Sequence, residues 1–397
     1  MKIADLFSMT AIALAAGLGF AASADAQSKP ELRIATITSV TGSASSLGAP
    51  ERRAVDLLER LFASNADLPF TVKFVNYDDA SDPTMSVNLA RKAIEEDGVH
   101  AIVCCTTTPG SMALLDTVKA ASTPMVSMAS AASIVTPAAE RPFTFKATTS
   151  DHLMFERMLA YMKRQGITKI AFFGLEDSYG ETGLTELRNV AKDMGVEIIS
   201  MERFARQDTN FTPQALRLRQ SQPQAVYIHA IPPSANLAHE ALLRVGYKGP
   251  VYHGAGSSIN SFVEIGKQNV EGAIVGVGAM NVYDQLSAEN PMRPGLMEFA
   301  EQYNGAYGKG SVDLFAGQAW DAVRLVAHAY GVALENGKAT GDTAATRLAI
   351  KDALESTKDY FGVNGVYNIP PADHLGLDQR STFLAQVRGG KFVLIEE

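Results

Sequence analysis

Short apolar runs alternate with helix-patterned segments twice along this chain, and strict alternation of that kind leads to parallel sheets with helices on both faces. In the first series the runs are 32–37, 70–75, 101–103 and 124–127, each too short for a helix and apolar enough for a buried strand. Between them, apolar side chains recur every three or four residues. They are Ala54, Leu57, Leu58 and Leu61, then Val87, Ala90 and Ile94, then Met112, Leu115 and Val118. Residues 143–146 read as a crossing segment, after which the series restarts. Helices at 151–164, 183–194, 211–221 and 234–245 then alternate with strands at 170–173, 196–200, 225–228 and 251–253, and a strand at 273–277 follows. The fold class is therefore α/β, with two doubly wound parallel-sheet lobes.

From residue 291 the pattern changes to long helices at 294–307, 312–335 and 343–356. Phe315, Ala319, Ala322, Val326 and Ala329 give the second of these a broad apolar stripe suited to packing against the first lobe. Short strands follow near 366–367, 383–387 and 392–395, the last two separated by the hairpin signal Gly389-Gly390. No low-complexity linker separates the lobes, so several short crossings join them. That arrangement favours a hinge.

The chain opens with the features of an export signal. Lys2 supplies a positive start, 9–22 is apolar but too short to span a bilayer, and Ala24-Asp25-Ala26 fits a small-x-small cleavage site. Residues 1–26 are expected to be removed, leaving a soluble periplasmic protein that begins at Gln27. No Cys lies near the cleavage point to carry a lipid anchor. The remaining residues, about 370, exceed what one core usually organises, so two lobes are expected. With 35 Lys and Arg against 43 Asp and Glu, a net charge of −8 speaks against nucleic acid as a partner. The two cysteines, Cys104 and Cys105, are adjacent and lack metal-ligand spacing. Neighbours on a strand point to opposite faces, so they read as free thiols or small core residues rather than a bridge.

The stretch 98–133 carries the clearest chemistry. Thr106-Thr107-Thr108 follows a strand and precedes Pro109, which places Thr108 at a helix N-cap and Pro109 at the first helical position. The next strand runs into Ser130 and Ser133 among alanines. Parallel strands bring both polar turns to one sheet edge, where hydroxyls and free backbone N–H groups at a helix N-terminus suit a carboxylate or other small anion. Tyr179, within Asp177-Ser178-Tyr179-Gly180-Glu181-Thr182-Gly183, opens a helix at the corresponding edge of the second lobe, and His229 and His253 end strands there. Capping by Thr and Ser and buried structural histidines are the plainer alternatives.

Catalytic signatures are absent from the sequence. It has no nucleophile elbow, phosphate loop, dinucleotide glycine fingerprint or zinc His-Glu-x-x-His; His239-Glu240 lacks the second His. Asp78-Asp79 reads as turn chemistry at a strand end. An enzyme would have to pair His229 or His253 with Asp78 or Asp79 across the cleft, and no activated nucleophile or metal set accompanies them.

Taken in order, several segments resemble one family. Thr41-Gly42 with Gly48, the run Tyr77-Asp78-Asp79-Ala80-Ser81-Asp82-Pro83, the turn 106–111 and the Tyr-Gly-Glu core of 177–183 are similar to type I periplasmic binding proteins of the Leu/Ile/Val-binding group, which serve ABC importers. The resemblance covers the mature chain. It implies two lobes closing on a ligand and joined by a three-crossing hinge, with 27–147 plus 281–356 in the N-terminal lobe and 148–280 plus 357–397 in the C-terminal lobe. It also implies an inner-membrane permease as partner, a monomer, and neither cofactor, metal nor catalysis.

The family's site maps unevenly onto this sequence. Its carboxylate-binding Ser falls on Thr108, which keeps a hydroxyl, and its contacts in the next turn fall on Ala129 and Ala131, with Ser130 between them. Its aromatic is kept as Tyr179, and Phe315 matches an apolar pocket position. The second-lobe Tyr becomes Ile231, the first-turn aromatic becomes Leu47, and the carboxylate that meets the ligand's ammonium becomes Gly256, within Gly254-Ala255-Gly256-Ser257-Ser258. Ser81 stands where the family has one Cys of its early disulfide. A buried ammonium without an anionic partner costs several kcal/mol. The implied ligand is therefore a small organic acid without an α-amino group, with an aromatic or branched body. Branched-chain amino acids are the alternative, and a ligand sensor in place of importer delivery is a further one.

Overall fold

The computed structural model describes residues 29–339 and 341–396; the export signal expected at 1–26 lies outside them. The first lobe's sheet has strands β1 (Glu31–Thr38), β2 (Thr71–Asp78), β3 (Ala101–Cys104), β4 (Met125–Ser127) and β5 (Thr144–Lys146). Their order is β2-β1-β3-β4-β5, parallel throughout. β3, β4 and β5 are buried at every residue, as expected for strands covered by helices on both faces. Helices α1 (Ser45–Ser64), α2 (Pro83–Glu95) and α3 (Thr108–Ala120) make the crossovers. The expected crossing segment at 143–146 is instead the fifth strand. At three residues it is too short for an alternation to reveal, and the chain leaves the lobe directly after it.

The cysteine expectation is corrected. A disulfide joins Cys104 to Cys105 across a cis peptide bond, with both residues buried. The opposite-faces rule holds only within a strand, and β3 ends at Cys104.

The second lobe continues α4 (Asp151–Arg164), β6 (Lys169–Leu175), α5 (Ser178–Met194), β7 (Glu197–Phe204), α6 (Thr212–Gln220), β8 (Ala225–His229), α7 (Ser234–Arg244), β9 (Val251–His253), α8 (Asn260–Gly266) and β10 (Ile274–Val277). The chain then forms α9 (Arg293–Tyr307), α10 (Leu314–Glu335) and α11 (Thr343–Glu355), a two-stranded ribbon of β11 (Tyr360–Phe361) and β12 (Val366–Tyr367), and the strands β13 (Phe383–Arg388) and β14 (Lys391–Glu396). The second sheet is ordered β14-β13-β10-β9-β8-β6-β7, with β13 and β14 antiparallel. The apolar stripe of α10 packs on α1, α11 and the first sheet, and the Tyr330 hydroxyl donates to the Glu31 carbonyl at 3.2 Å.

One side chain secures the last passage between lobes. Asp321 on α10 is buried and accepts from the Val363 and Asn364 N–H groups at 3.0 and 2.8 Å and from Asn364 Nδ2 at 2.9 Å. The Tyr367 hydroxyl lies 2.9 Å from the same carboxylate and 2.7 Å from the Ala147 carbonyl, where the first passage begins. Burial raises the Asp321 carboxyl above the usual carboxylate range, while these donors oppose the rise.

Candidate functional site: an interlobe cleft

The three threonines after β3 divide their tasks by position. Thr107, not Thr108, is the N-cap of α3: its backbone is extended and its Oγ1 accepts from the Gly110 N–H at 3.4 Å. Any of three consecutive threonines could cap, and Pro109 is tolerated at the first or second helical position alike. Thr106 ties the turn to the exit of β1, accepting from the Ser39 N–H at 2.9 Å and donating to the Glu51 carboxylate. Burial pushes the Glu51 carboxyl well above its ordinary range. Thr108 is left with a buried hydroxyl that has no partner. Freed from capping, it faces the space between the lobes.

The turn after β4 places Met128, Ala129 and Ser130 beside it. The Ser127 hydroxyl holds this turn, accepting from the Ala129 N–H at 3.1 Å and meeting Ser111 Oγ at 2.8 Å. Behind it, the fully buried Lys146 ammonium donates to the Ser130 carbonyl, and burial pushes that lysine down to about 7. Ala131 is a correction: it is fully buried beside Ile134 and Val135 and does not line the cleft.

Across the cleft, Asp177 caps α5 by accepting from the Tyr179 and Gly180 N–H groups at 3.0 and 3.2 Å. The same carboxylate takes Arg206 Nε at 2.7 Å and Nη2 at 2.6 Å, leaving Arg206 Nη1 buried without a partner. Tyr179 stacks on His229 with ring centroids 4.0 Å apart, and its hydroxyl is likewise buried and unpartnered. His229 therefore lies behind Tyr179, and Gly183 leaves room for it: a Cβ there would stand 2.2 Å from His229 Nε2. His253 is also behind the lining, paired with His239 at 2.9 Å. Burial lowers all three histidines, His239 to about 4, so they remain neutral core groups. Neither His229 nor His253 lines the cleft, and Asp78 and Asp79 serve turns, holding Thr41 and Ser39 respectively.

The walls close around a cavity of about 40 Å³, smaller than the usual small-molecule site, so a ligand has to widen it. Leu47, Thr108, Ala129, Ser130, Tyr179, Ile231, Gly256 and Phe315 all line this one space. Leu314 and Gln318 from α10 complete one wall, and Gln318 is steadied by donation to Thr148 Oγ1 at 2.7 Å. Arg206, absent from the sequence reading, is the only charged side chain on the walls among the described residues. It follows β7 by two residues, at the sheet edge where ligands of such folds bind. Asp78 and Glu181 are both engaged elsewhere, Asp78 with the Thr41 turn and Glu181 with Arg203. Among the described residues no group of three His, Cys, Asp or Glu could hold a metal ion.

Residues 31–391 match the periplasmic binding protein family, and the chain belongs to it. It is the type I form of that fold, with parallel sheets in two lobes. An extracellular ligand-binding receptor from Rhodopseudomonas palustris HaA2 is 32% identical, with 92% of this chain and 99% of that one covered and a TM-score of 0.85. A leucine binding protein from Thermotoga maritima is 21% identical over 91% of this chain and 97% of that one, with a TM-score of 0.77. A branched-chain amino acid transporter substrate binding protein from Streptococcus pneumoniae, in complex with isoleucine, is 18% identical over 92% and 100%, with a TM-score of 0.75. The last two likenesses speak to fold alone. Among curated proteins, no sequence matches the chain. No helix among the described residues is long and apolar enough to cross a membrane.

Proposed function

We propose that this protein captures a small organic carboxylate lacking an α-amino group, in the periplasm, and delivers it to an inner-membrane ABC permease without altering it. The carrying observation is the charge of the cleft: Arg206 lines it and no carboxylate does, among the described residues. An α-amino acid brings a cation as well as an anion, and a dry cleft must satisfy both. Leu47, Met128, Ile231, Leu314 and Phe315 supply an apolar wall for an aromatic or branched body. Binding is expected to draw together the lobes 27–147 plus 281–356 and 148–280 plus 357–397 in a monomer, because contacts to both sides favour a closed form.

One observation favours branched-chain amino acids instead. Asp151 Oδ2 is buried without a partner beside a small space bounded by Ala255 and Leu314, which also line the cleft. A thermal-shift panel separates the two readings, since a ligand at a hundred times its Kd stabilises by about 2.7 kcal/mol. Aromatic and branched acids should raise the melting temperature and amino acids should not. A shift with leucine or isoleucine alone would favour the second reading, and mass analysis after incubation should return the ligand unchanged.

A further inference from the structure

We infer that Arg206 and Thr108 form a two-sided clamp for the ligand's carboxylate at the mouth of the cleft, which orients the apolar body inward and makes negative charge the condition for closure. The inference rests on the organic-acid reading and adds to it the residue, the orientation and the coupling. Thr108 belongs to the first lobe and Arg206 to the second, so one anion held by both joins the lobes. Two buried donors on the two sides, Thr108 Oγ1 and Arg206 Nη1, have no partner, and both residues line the same space. The remaining edge of the guanidinium is fixed on Asp177, which makes Asp177 a positioning residue. Its carboxylate is in turn offset by the α5 backbone N–H groups it accepts from. Residues at the N-termini of α3 and α5, Thr107 and Pro109 on one side and Asp177 on the other, border the same outer cleft, where helix N-termini favour an anion.

The orientation follows from what borders the clamp. Arg206 and Thr107, the neighbour of Thr108, also line an outer cleft of about 380 Å³ together with Ser43, Glu176 and Gln207, so Arg206 stands between that outer space and the inner cavity. The outer cleft carries both signs of charge, whereas Ile231, Leu314 and Phe315 line the inner cavity and not the outer cleft. In the clamp an aryl or branched alkyl body points inward, towards a cavity of about 40 Å³ that widens to admit it, and the carboxylate sits against Arg206. The planar guanidinium fork suits this better than a lysine ammonium would.

The test uses the mature protein, Arg206→Gln and Arg206→Lys. The probes are benzoate, 3-phenylpropionate, 4-methylpentanoate and their primary amides, with leucine and phenylalanine as amino-acid controls. Arg206→Gln should weaken the best-bound acid at least tenfold and its amide less than threefold, with Arg206→Lys in between. The radius of gyration should shrink when wild type is saturated with the acid, but not with the amide. Equal losses for acid and amide, or no loss, would overturn the clamp and leave the organic-acid reading standing. If Arg206→Gln does not fold, Arg206→Lys decides by the same ratio of acid to amide. Should wild type bind only amino acids, the organic-acid reading falls. The clamp is then judged on leucine, whose carboxylate it would hold equally: a tenfold loss in the variant keeps it and no loss removes it. If neither acids nor amino acids bind wild type, both fall.

Discussion

A side-chain carbon on Gly256 would stand 2.9 Å from the Tyr179 hydroxyl, so these two residues divide one space between them. The same carbon would lie 2.9 Å from the Ala230 carbonyl and 3.0 Å from Ile231 Cγ2. The position that the family resemblance assigns to the ligand's ammonium is therefore filled here by its neighbours. We expect Gly256→Asp to weaken acid binding at least tenfold without creating amino-acid binding, since the backbone contact with Ala230 persists whatever Tyr179 does. Calorimetry on the variant would show it; better leucine binding than wild type would mean that the space is available after all.

Thr108→Val should weaken acid binding by roughly 1–3 kcal/mol, the usual result of leaving a buried anionic acceptor short of one donor. Thr108 is 2% exposed and does not cap α3, so the unliganded protein should melt within a few degrees of wild type. Equal affinities by isothermal titration would remove its hydroxyl from the site.

The sequence made these positions legible unequally, and the reasons are physical. Alternation of short apolar runs with helical spacing determines a doubly wound sheet, so the edge carrying Thr108, Ser130 and Tyr179 could be placed from pattern alone. Which threonine caps was not legible, because Thr106, Thr107 and Thr108 have the same capping chemistry and only backbone geometry separates them. Arg206 gave no signal because it belongs to no motif, and its role appears only when Asp177, distant in sequence, holds its other edge. The Cys104–Cys105 bridge is not legible in the sequence because the opposite-faces rule holds only inside a strand and β3 ends at Cys104. Ala131 missed the cleft because the chain turns into the core beside Ile134.

His239 and His253 offer a pH test. Burial lowers His239 to about 4 from an unfolded value of about 6.5. A folded pKa below the unfolded one gives a contribution that is complete above pH 6.5 and lost as pH falls through about 4. Wild type should therefore lose about 3 kcal/mol more than His239→Gln between those limits. Chemical denaturation at several pH values measures the difference, and parallel curves would show that His239 does not titrate this way.

Asp321→Ala should destabilise the protein by about 3 kcal/mol or more, because buried donors from Val363, Asn364 and Tyr367 would lose their acceptor. Urea unfolding reads this directly. A change below about 1 kcal/mol would mean that water or neighbouring carbonyls replace the carboxylate.

The most direct test of the central claim compares two molecules that differ by one amino group, 3-phenylpropionate with phenylalanine and 4-methylpentanoate with leucine, titrated into the mature protein at neutral pH. With Arg206 on the cleft wall and no carboxylate lining the cleft among the described residues, at least one acid should bind tenfold or more tightly than its amino acid, a difference of about 1.4 kcal/mol. Tight binding of leucine or phenylalanine with weak binding of both acids would contradict the account.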